Sequence, residues 1–275
     1  MWSNLNPSGS GLCFMNRIDE RLASVRLKAR PALVPYLTAG YPSIELTVPL
    51  ASAVLSSGAD MLELGIPFSD PLADGPTIQM TSFEALKNGM SVGRALEIGK
   101  EIRERDRESP LIFMGYFNPF LKYGTAQLLK DMNASGIDGI IVPDLPQEEA
   151  EVFGNKCSEY GVYLIPLLAP TSTDERIYSA CEQAKGFVYC VSLTGVTGAR
   201  SSLSSGVHDL VLRIREFTDL PVLVGFGISR KEDVRRISQF ADGAVVGSAF
   251  LDAVSKASVG KETDVAADFV RALLP

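Results

Sequence analysis

Chemistry in this chain centres on three acids in a short span: Glu63, Asp70 and Asp74. Glu63 lies inside an otherwise apolar run, Met61 to Ile66, with the β-strand signature of a fully buried segment. Strand alternation sends its side chain to the same side as Met61 and Gly65. If that side is an apolar interior, the carboxylate loses water and its pKa rises. A carboxyl tuned this way both donates and accepts protons near neutrality. The competing reading is a glutamate satisfied by a buried hydrogen bond or ion pair. The segment after the strand is long and rich in Pro and Gly, and it carries the other two acids. Long ordered loops at the end of a strand usually serve function. Asp residues in such a loop also make Asx turns and helix caps, and the residues alone do not separate Asp70 from Asp74.

The rest of the composition narrows the chemistry to carboxylates. The chain has 275 residues and a single histidine, His208, which precedes Asp209 at the start of a helical pattern and reads as a surface residue. A Ser-His-Asp triad needs a histidine base, and most zinc sites need histidine or clustered cysteine. The four cysteines, Cys13, Cys157, Cys181 and Cys190, form no CxxC pair and read as reduced, mostly buried thiols. A formal net charge of −7, with no dense basic patch, argues against nucleic acid as a partner. No apolar run approaches the roughly 20 residues of a membrane span. The stretch Met1 to Phe14 lacks a basic region followed by an apolar one and does not read as a secretory signal.

Eight short apolar runs recur along the chain: Leu33–Thr38, Met61–Ile66, Leu111–Met114, Gly139–Val142, Val162–Leu167, Phe187–Val191, Val222–Val224 and Ala244–Val246. Their near-continuous apolarity predicts a parallel sheet buried on both faces. Helical spacing fills the intervals, for example Ile44 to Ser57 and Val92 to Glu108, and Ser172 with Glu175 and Ser229 with Glu232 fit capping boxes. Eight strand–helix units predict an α/β fold, a (β/α)8 TIM barrel occupying residues 17–275, with residues 1–16 as a tail or extra helix. A doubly wound Rossmann sheet fits less well, because no GxGxxG follows the first strand. In such barrels the chemistry sits where strands exit at their C-terminal ends.

The stretch from Leu62 through Gln79, Leu-Glu63-Leu-Gly-Ile-Pro-Phe-Ser-Asp-Pro-Leu-Ala-Asp74-Gly-Pro-Thr-Ile-Gln, resembles the signature of the tryptophan synthase α family. Further resemblances run over residues 17 to 273. They are Val34-Pro-Tyr36-Leu-Thr-Ala-Gly40-Tyr-Pro42, Tyr116-Phe-Asn118-Pro, Pro143-Asp144-Leu-Pro146, Tyr189 followed by Gly195-Val-Thr-Gly198, Gly225-Phe-Gly-Ile228, and Gly247-Ser248. The resemblance implies cleavage of indole-3-glycerol phosphate to indole and glyceraldehyde 3-phosphate, with Glu63 and Asp74 as the catalytic acids. Tyr36, Met114, Ile141, Tyr189 and Phe226 lie at strand exits and are candidate lining for the indole ring, with Tyr116 a further candidate contact, and the resemblance singles out Tyr189 as touching the catalytic carboxylate or substrate. Spacing alone makes most of these plain barrel core. It places the phosphate at Gly198, Gly225, Gly227, Gly247 and Ser248, without metal. Gly195 to Gly206 is expected to be a lid, with Thr197 bonding Asp74 on closure.

The resemblance also implies a β-subunit partner carrying pyridoxal phosphate, an α2β2 assembly, no cofactor in this chain, and a cytoplasmic setting, or plastid stroma for a processed form. Asp70, the segment Tyr116 to Phe120 and the loop around Pro146 are the implied contact positions. One departure stands in the sixth strand exit, where many members carry arginine after Ser192 and this chain has Leu193. A free-standing lyase and a non-catalytic activator of a β subunit stay open at this point. Another phosphate-binding barrel, such as a phosphosugar epimerase or a thiamine phosphate synthase, does not account for Glu63 together with Asp74.

Overall fold

The computed structural model describes residues 15–191, 200–225 and 227–274, with backbone alone for residues 147 and 200–205. The chain begins with α1 (Arg17–Leu27), β1 (Ala32–Thr38), α2 (Ile44–Ser56), β2 (Leu62–Gly65), α3 (Pro76–Lys87), α4 (Val92–Arg105) and β3 (Leu111–Met114). It continues through α5 (Phe117–Tyr123), α6 (Thr125–Ala134), β4 (Gly139–Ile141), α7 (Gln147–Glu159), β5 (Tyr163–Leu164), β6 (Leu167–Leu168) and α8 (Asp174–Gln183). Last come β7 (Val188–Val191), α9 (Arg200–Arg215), β8 (Val222–Gly225), α10 (Lys231–Ile237), β9 (Gly243–Val246), α11 (Ser248–Ser255) and α12 (Glu262–Leu273).

All strand pairs are parallel, in the order β5-β4-β3-β2-β1-β9-β8-β7-β6. The two edges, β5 and β6, are separated in the chain only by Ile165 and Pro166. Ile165 donates its N–H to Ile140 on one side (2.9 Å), and Pro166 accepts from Tyr189 on the other (3.0 Å). The fifth apolar run is therefore one strand bent between two neighbours, and it closes a (β/α)8 barrel. Pro166 explains why the single expected strand divides: without an N–H it cannot continue the ladder.

Side chains inside the barrel come from alternate strand positions: Val34, Met61, Ile112, Ile141, Ile165, Tyr189, Leu223 and Val245. Ile18, Leu22 and Val25 of α1 join this cluster and plug the end where the strands begin. Asn16 caps α1, its side chain accepting from the Ile18 N–H. The opposite strand faces pack against the helix ring, whose buried residues recur at helical spacing, as in Val48, Ala51, Val54 and Leu55 of α2. Ser43 and Ser91 cap α2 and α4, and the helices end at Ser56 and Arg105, slightly short of the expected limits.

The two expected capping boxes fall elsewhere. Thr173 caps α8, while Ser172 accepts from the Ala169 N–H in the preceding turn. At α10 the cap position is Arg230, and Asp233 receives the N–H groups of Ser229 and Arg230. His208 lies on the surface, edge-on to Phe240, and Cys157, Cys181 and Cys190 are buried free thiols. Cys13 lies outside the described residues. Among the described residues no helix is long and apolar enough to cross a membrane.

A repeated device pins the strand starts. Asp60, Asp138 and Asp242 each precede a strand, and each donates its N–H to a residue of the preceding strand or its start: Leu33, Leu111 and Val222 (2.9 Å in each case). Each carboxylate accepts that same residue's N–H in return, at 2.9, 2.8 and 2.7 Å respectively. Arginines complete the carboxylates: Arg30 on Asp60, Arg17 and Arg103 on Asp138, Arg215 on Asp242. Asp138 is buried and Arg103 nearly so, and removing one partner of a buried pair strands the other. An Asp138→Ala variant is expected to lose about 3–5 kcal/mol of stability, read from its urea unfolding midpoint. A loss under about 1 kcal/mol would mean that water replaces the carboxylate there.

Candidate active site

Glu63 occupies the centre of β2, level with Tyr36 of β1 and Ile112 of β3, and points into the barrel. It is 1% exposed, and among the described residues its Oε1 has no hydrogen-bond partner. A fully satisfied core glutamate would have both oxygens paired, and this one does not among the described residues. Burial, and secondly the neighbouring Asp74, push its pKa up to about 8. At neutral pH the group is a carboxylic acid with a proton to give.

Asp74 reaches the same space from the loop between β2 and α3. The loop is held from several sides. Ala73 donates its N–H to the Tyr116 hydroxyl (2.9 Å), Asp74 donates its own to Pro71 O (3.0 Å), and the Gln79 side chain donates to Asp74 O (2.9 Å). Burial raises the Asp74 pKa to about 6, against a hydrogen bond from Tyr116 that lowers it. Two neighbouring carboxyls thus hold opposite protonation states at pH 7, which is the condition for paired acid and base work. Asp70 is exposed and accepts from the adjacent Ser69 hydroxyl. It caps no helix.

Two tyrosines complete the enclosure, each seated on a glycine. The Tyr36 hydroxyl fills the place where a Cβ on Gly65 would stand, and the Tyr189 hydroxyl does the same at Gly225. Both rings are buried, and burial together with the charges of Glu63 and Asp74 raises their pKa well above the ordinary value. They stay neutral and remain hydrogen-bond donors. Ile141 is buried in the barrel interior, and Met114 packs partly exposed at the end of β3.

Gly225, expected to let an anion approach, also leaves the space that the Tyr189 ring fills. Gly227 does adopt a left-handed conformation (φ +47°) with open space around it. Gly247 precedes Ser248, the first residue of α11, as expected. The first N–H groups of a helix have no partner within it and favour an anion. Gly247 follows Val246, which pairs with Pro35, so the start of α11 is beside Tyr36. Acid, ring and helix start therefore stand on three adjacent strands, β2, β1 and β9.

Thr197, Gly198 and Phe226 lie outside the described residues, as does Leu193. Of the expected lid, Gly195 to Gly206, residues 195–199 also lie outside the described residues and the remainder belongs to α9. Sequence reasoning placed Tyr116 on the substrate but missed its bond to Asp74. No local pattern pairs two residues so far apart. Among the described residues no cluster of His, Cys, Asp or Glu could hold a metal ion. A separate groove runs between α7 and α8, lined by Leu145, Leu164, Leu168, Arg176 and Lys185. No carboxylate lines it.

Known proteins share this arrangement across nearly the whole length. The family model described as tryptophan synthase alpha chain matches residues 22–272. The tryptophan synthase alpha chain of Roseiflexus castenholzii is 49% identical over 259 residues, covering 94% of this chain and 99% of the relative. The crystal structure of tryptophan synthase subunit alpha from Legionella pneumophila superposes with a TM-score of 0.87 at 36% identity, covering 94% of this chain and 97% of the other. A structure of Mycobacterium tuberculosis tryptophan synthase gives 0.86 at 36% identity, covering 94% and 96%. With its two carboxyls on the strand exits where such a barrel does its chemistry, the chain belongs to the tryptophan synthase alpha chain family.

Proposed function

We propose that this chain cleaves indole-3-glycerol phosphate by a retro-aldol reaction, releasing indole and D-glyceraldehyde 3-phosphate. The observation that carries the reading is a buried Glu63, one oxygen without a described partner, with Asp74 beside it in one enclosure. Glu63 gives its proton to carbon 3 of the indole ring, which makes the ring a competent leaving group. Positive charge then develops at the ring nitrogen, where the Asp74 carboxylate accepts the N–H and stabilises it. Glu63, now a carboxylate, takes the proton from the hydroxyl on the side-chain carbon attached to the ring. The carbon–carbon bond breaks, its electron pair returns to the ring, and a carbonyl forms. Glu63 ends protonated, as it began.

Tyr36, Met114, Ile141, Tyr189 and Phe226 line the ring, and Tyr116 holds Asp74 in place. The phosphate rests on backbone N–H groups at Gly227, Gly247 and Ser248, with Gly198 and Gly225 alongside, and on the Ser248 hydroxyl. Thr197 bonds Asp74 when the sixth loop closes. In this reading the chain uses no metal or cofactor of its own and works in the cytoplasm. It passes indole to a β subunit in an α2β2 complex, and pyridoxal phosphate in that partner supplies the condensation with serine.

Indole release by the purified chain, measured with and without a β subunit, tests the reading. Slow release that rises sharply with the partner is the expected result, and no release under either condition overturns it. Glu63→Gln and Asp74→Asn variants are each expected to lower kcat/KM by about 10²- to 10⁴-fold.

The pH profile of kcat/KM should be a bell. Activity rises as Asp74 ionises near 6 and falls as Glu63 loses its proton near 8. The Tyr116 hydrogen bond lowers the Asp74 pKa, so Tyr116→Phe should move the acid limb to higher pH. An unmoved limb would assign that titration to another group.

Stability should carry the same signature. The folded protein binds the Glu63 proton more tightly than the unfolded chain does. Its stability therefore falls as pH rises from about 4.5 to about 8. Above that range Glu63→Gln is expected to resist urea better than the parent, with the gain vanishing near pH 4. Equal midpoints at pH 9 would contradict the buried-acid assignment.

A further inference from the structure

We propose that Asp252 is a positioning residue for this reaction. Through the Thr77 hydroxyl it locks the start of α3, and with it Asp74, to the start of α11. The inference rests on the reading of the α11 start as the seat of the phosphate.

Its first support is the poverty of the α3 terminus. The cap position is Gly75, which has no side chain to bond, and Pro76 follows it. The first turn holds no acidic residue. A helix start carries roughly half a positive charge, and local sequence normally supplies an acid or a capping oxygen to meet it. Here the anion comes from another helix. Thr77 Oγ1 donates to Asp252 Oδ1 at 3.1 Å, across 175 positions of sequence. No ion-pair partner competes for Asp252 among the described residues.

The second support is where the two ends of this link lead. Thr77 follows Asp74 by three residues, and Gln79, two further on, grips the Asp74 carbonyl. Asp252 lies one helical turn after Ser248, on the same face of α11. Between them Ile78 Cδ1 packs 3.8 Å from the position of a Cβ on Gly247. The acid that meets the ring nitrogen and the helix start that meets the phosphate are thus linked through the Thr77–Asp252 hydrogen bond, with Ile78 beside Gly247. A substrate held at both ends is read by a single rigid unit, so its reacting carbon arrives at Glu63 in line. Misplacement of about 1 Å costs up to about 10²-fold in rate.

The test measures steady-state cleavage of indole-3-glycerol phosphate, competitive inhibition by inorganic phosphate, and thermal midpoints for Thr77→Val, Asp252→Leu and Thr77→Ser. Thr77→Val and Asp252→Leu are expected to lower kcat by about tenfold, while the inhibition constant for phosphate stays within about twofold, and Thr77→Ser should recover most of the rate. A parental kcat in both disrupted variants overturns the proposal. So does a phosphate constant that worsens in step with kcat, which would mean that α11 itself is deformed. Should one disrupted variant fail to fold, the other decides the question. If the parent chain cleaves no substrate, the functional reading falls. If the parent cleaves it and the disrupted variants match it, only the link does.

Discussion

The withdrawal of one carboxyl from water governs this structure. Glu63 sits among apolar barrel side chains with an oxygen that no described group meets. Leaving such an oxygen unpaired is costly for the fold, and the cost is lowest when the group keeps its proton. Everything nearby respects that condition. The tyrosines on either side are neutral, the second acid lies farther out where solvent and Tyr116 share its charge, and no described cation approaches Glu63 closely enough to pull the proton away. Reactivity here is a by-product of incomplete solvation, maintained by a scaffold stable enough to tolerate it.

That tolerance comes from a division of labour along the barrel axis. Where the strands begin, carboxylates are fully engaged by arginines and strand N–H groups, and α1 seals the interior. Where the strands end, Glu63 keeps an oxygen without a described hydrogen-bond partner. Charged groups of the same type do opposite work at the two ends, because one end offers partners and the other withholds them.

Much of this could be read from the chain, and the failures have physical causes. Strand exits were legible because apolar runs broken by Gly, Pro and Asp are a local signal. Glu63 stood out for the same reason, as a charge where the pattern forbids one. The split of the fifth strand follows from Pro166, whose missing N–H matters only once its neighbours on both sides are known. Ser172 and Thr173 are both sound caps, and the turn that decides between them depends on packing beneath it. The Tyr116 bond to Asp74 and the seating of Tyr189 on Gly225 join strands that meet only in three dimensions.

The bend at Ile165 and Pro166 bears on how the barrel is assembled. Every pair of neighbouring strands except one is consecutive in the chain, and the two sheet edges are already joined by only two residues, Ile165 and Pro166. The single non-local seam is β1 against β9, which unites the two ends of the polypeptide. Each half of the barrel can therefore zip up from local contacts, at low entropic cost, while the last strand is still unpaired. The pocket straddles that seam, since Tyr36 lies on one lip and Gly247 on the other. An incompletely folded chain consequently holds Glu63 and Asp74 apart from the start of α11, and the three come together only when the final strand closes the ring.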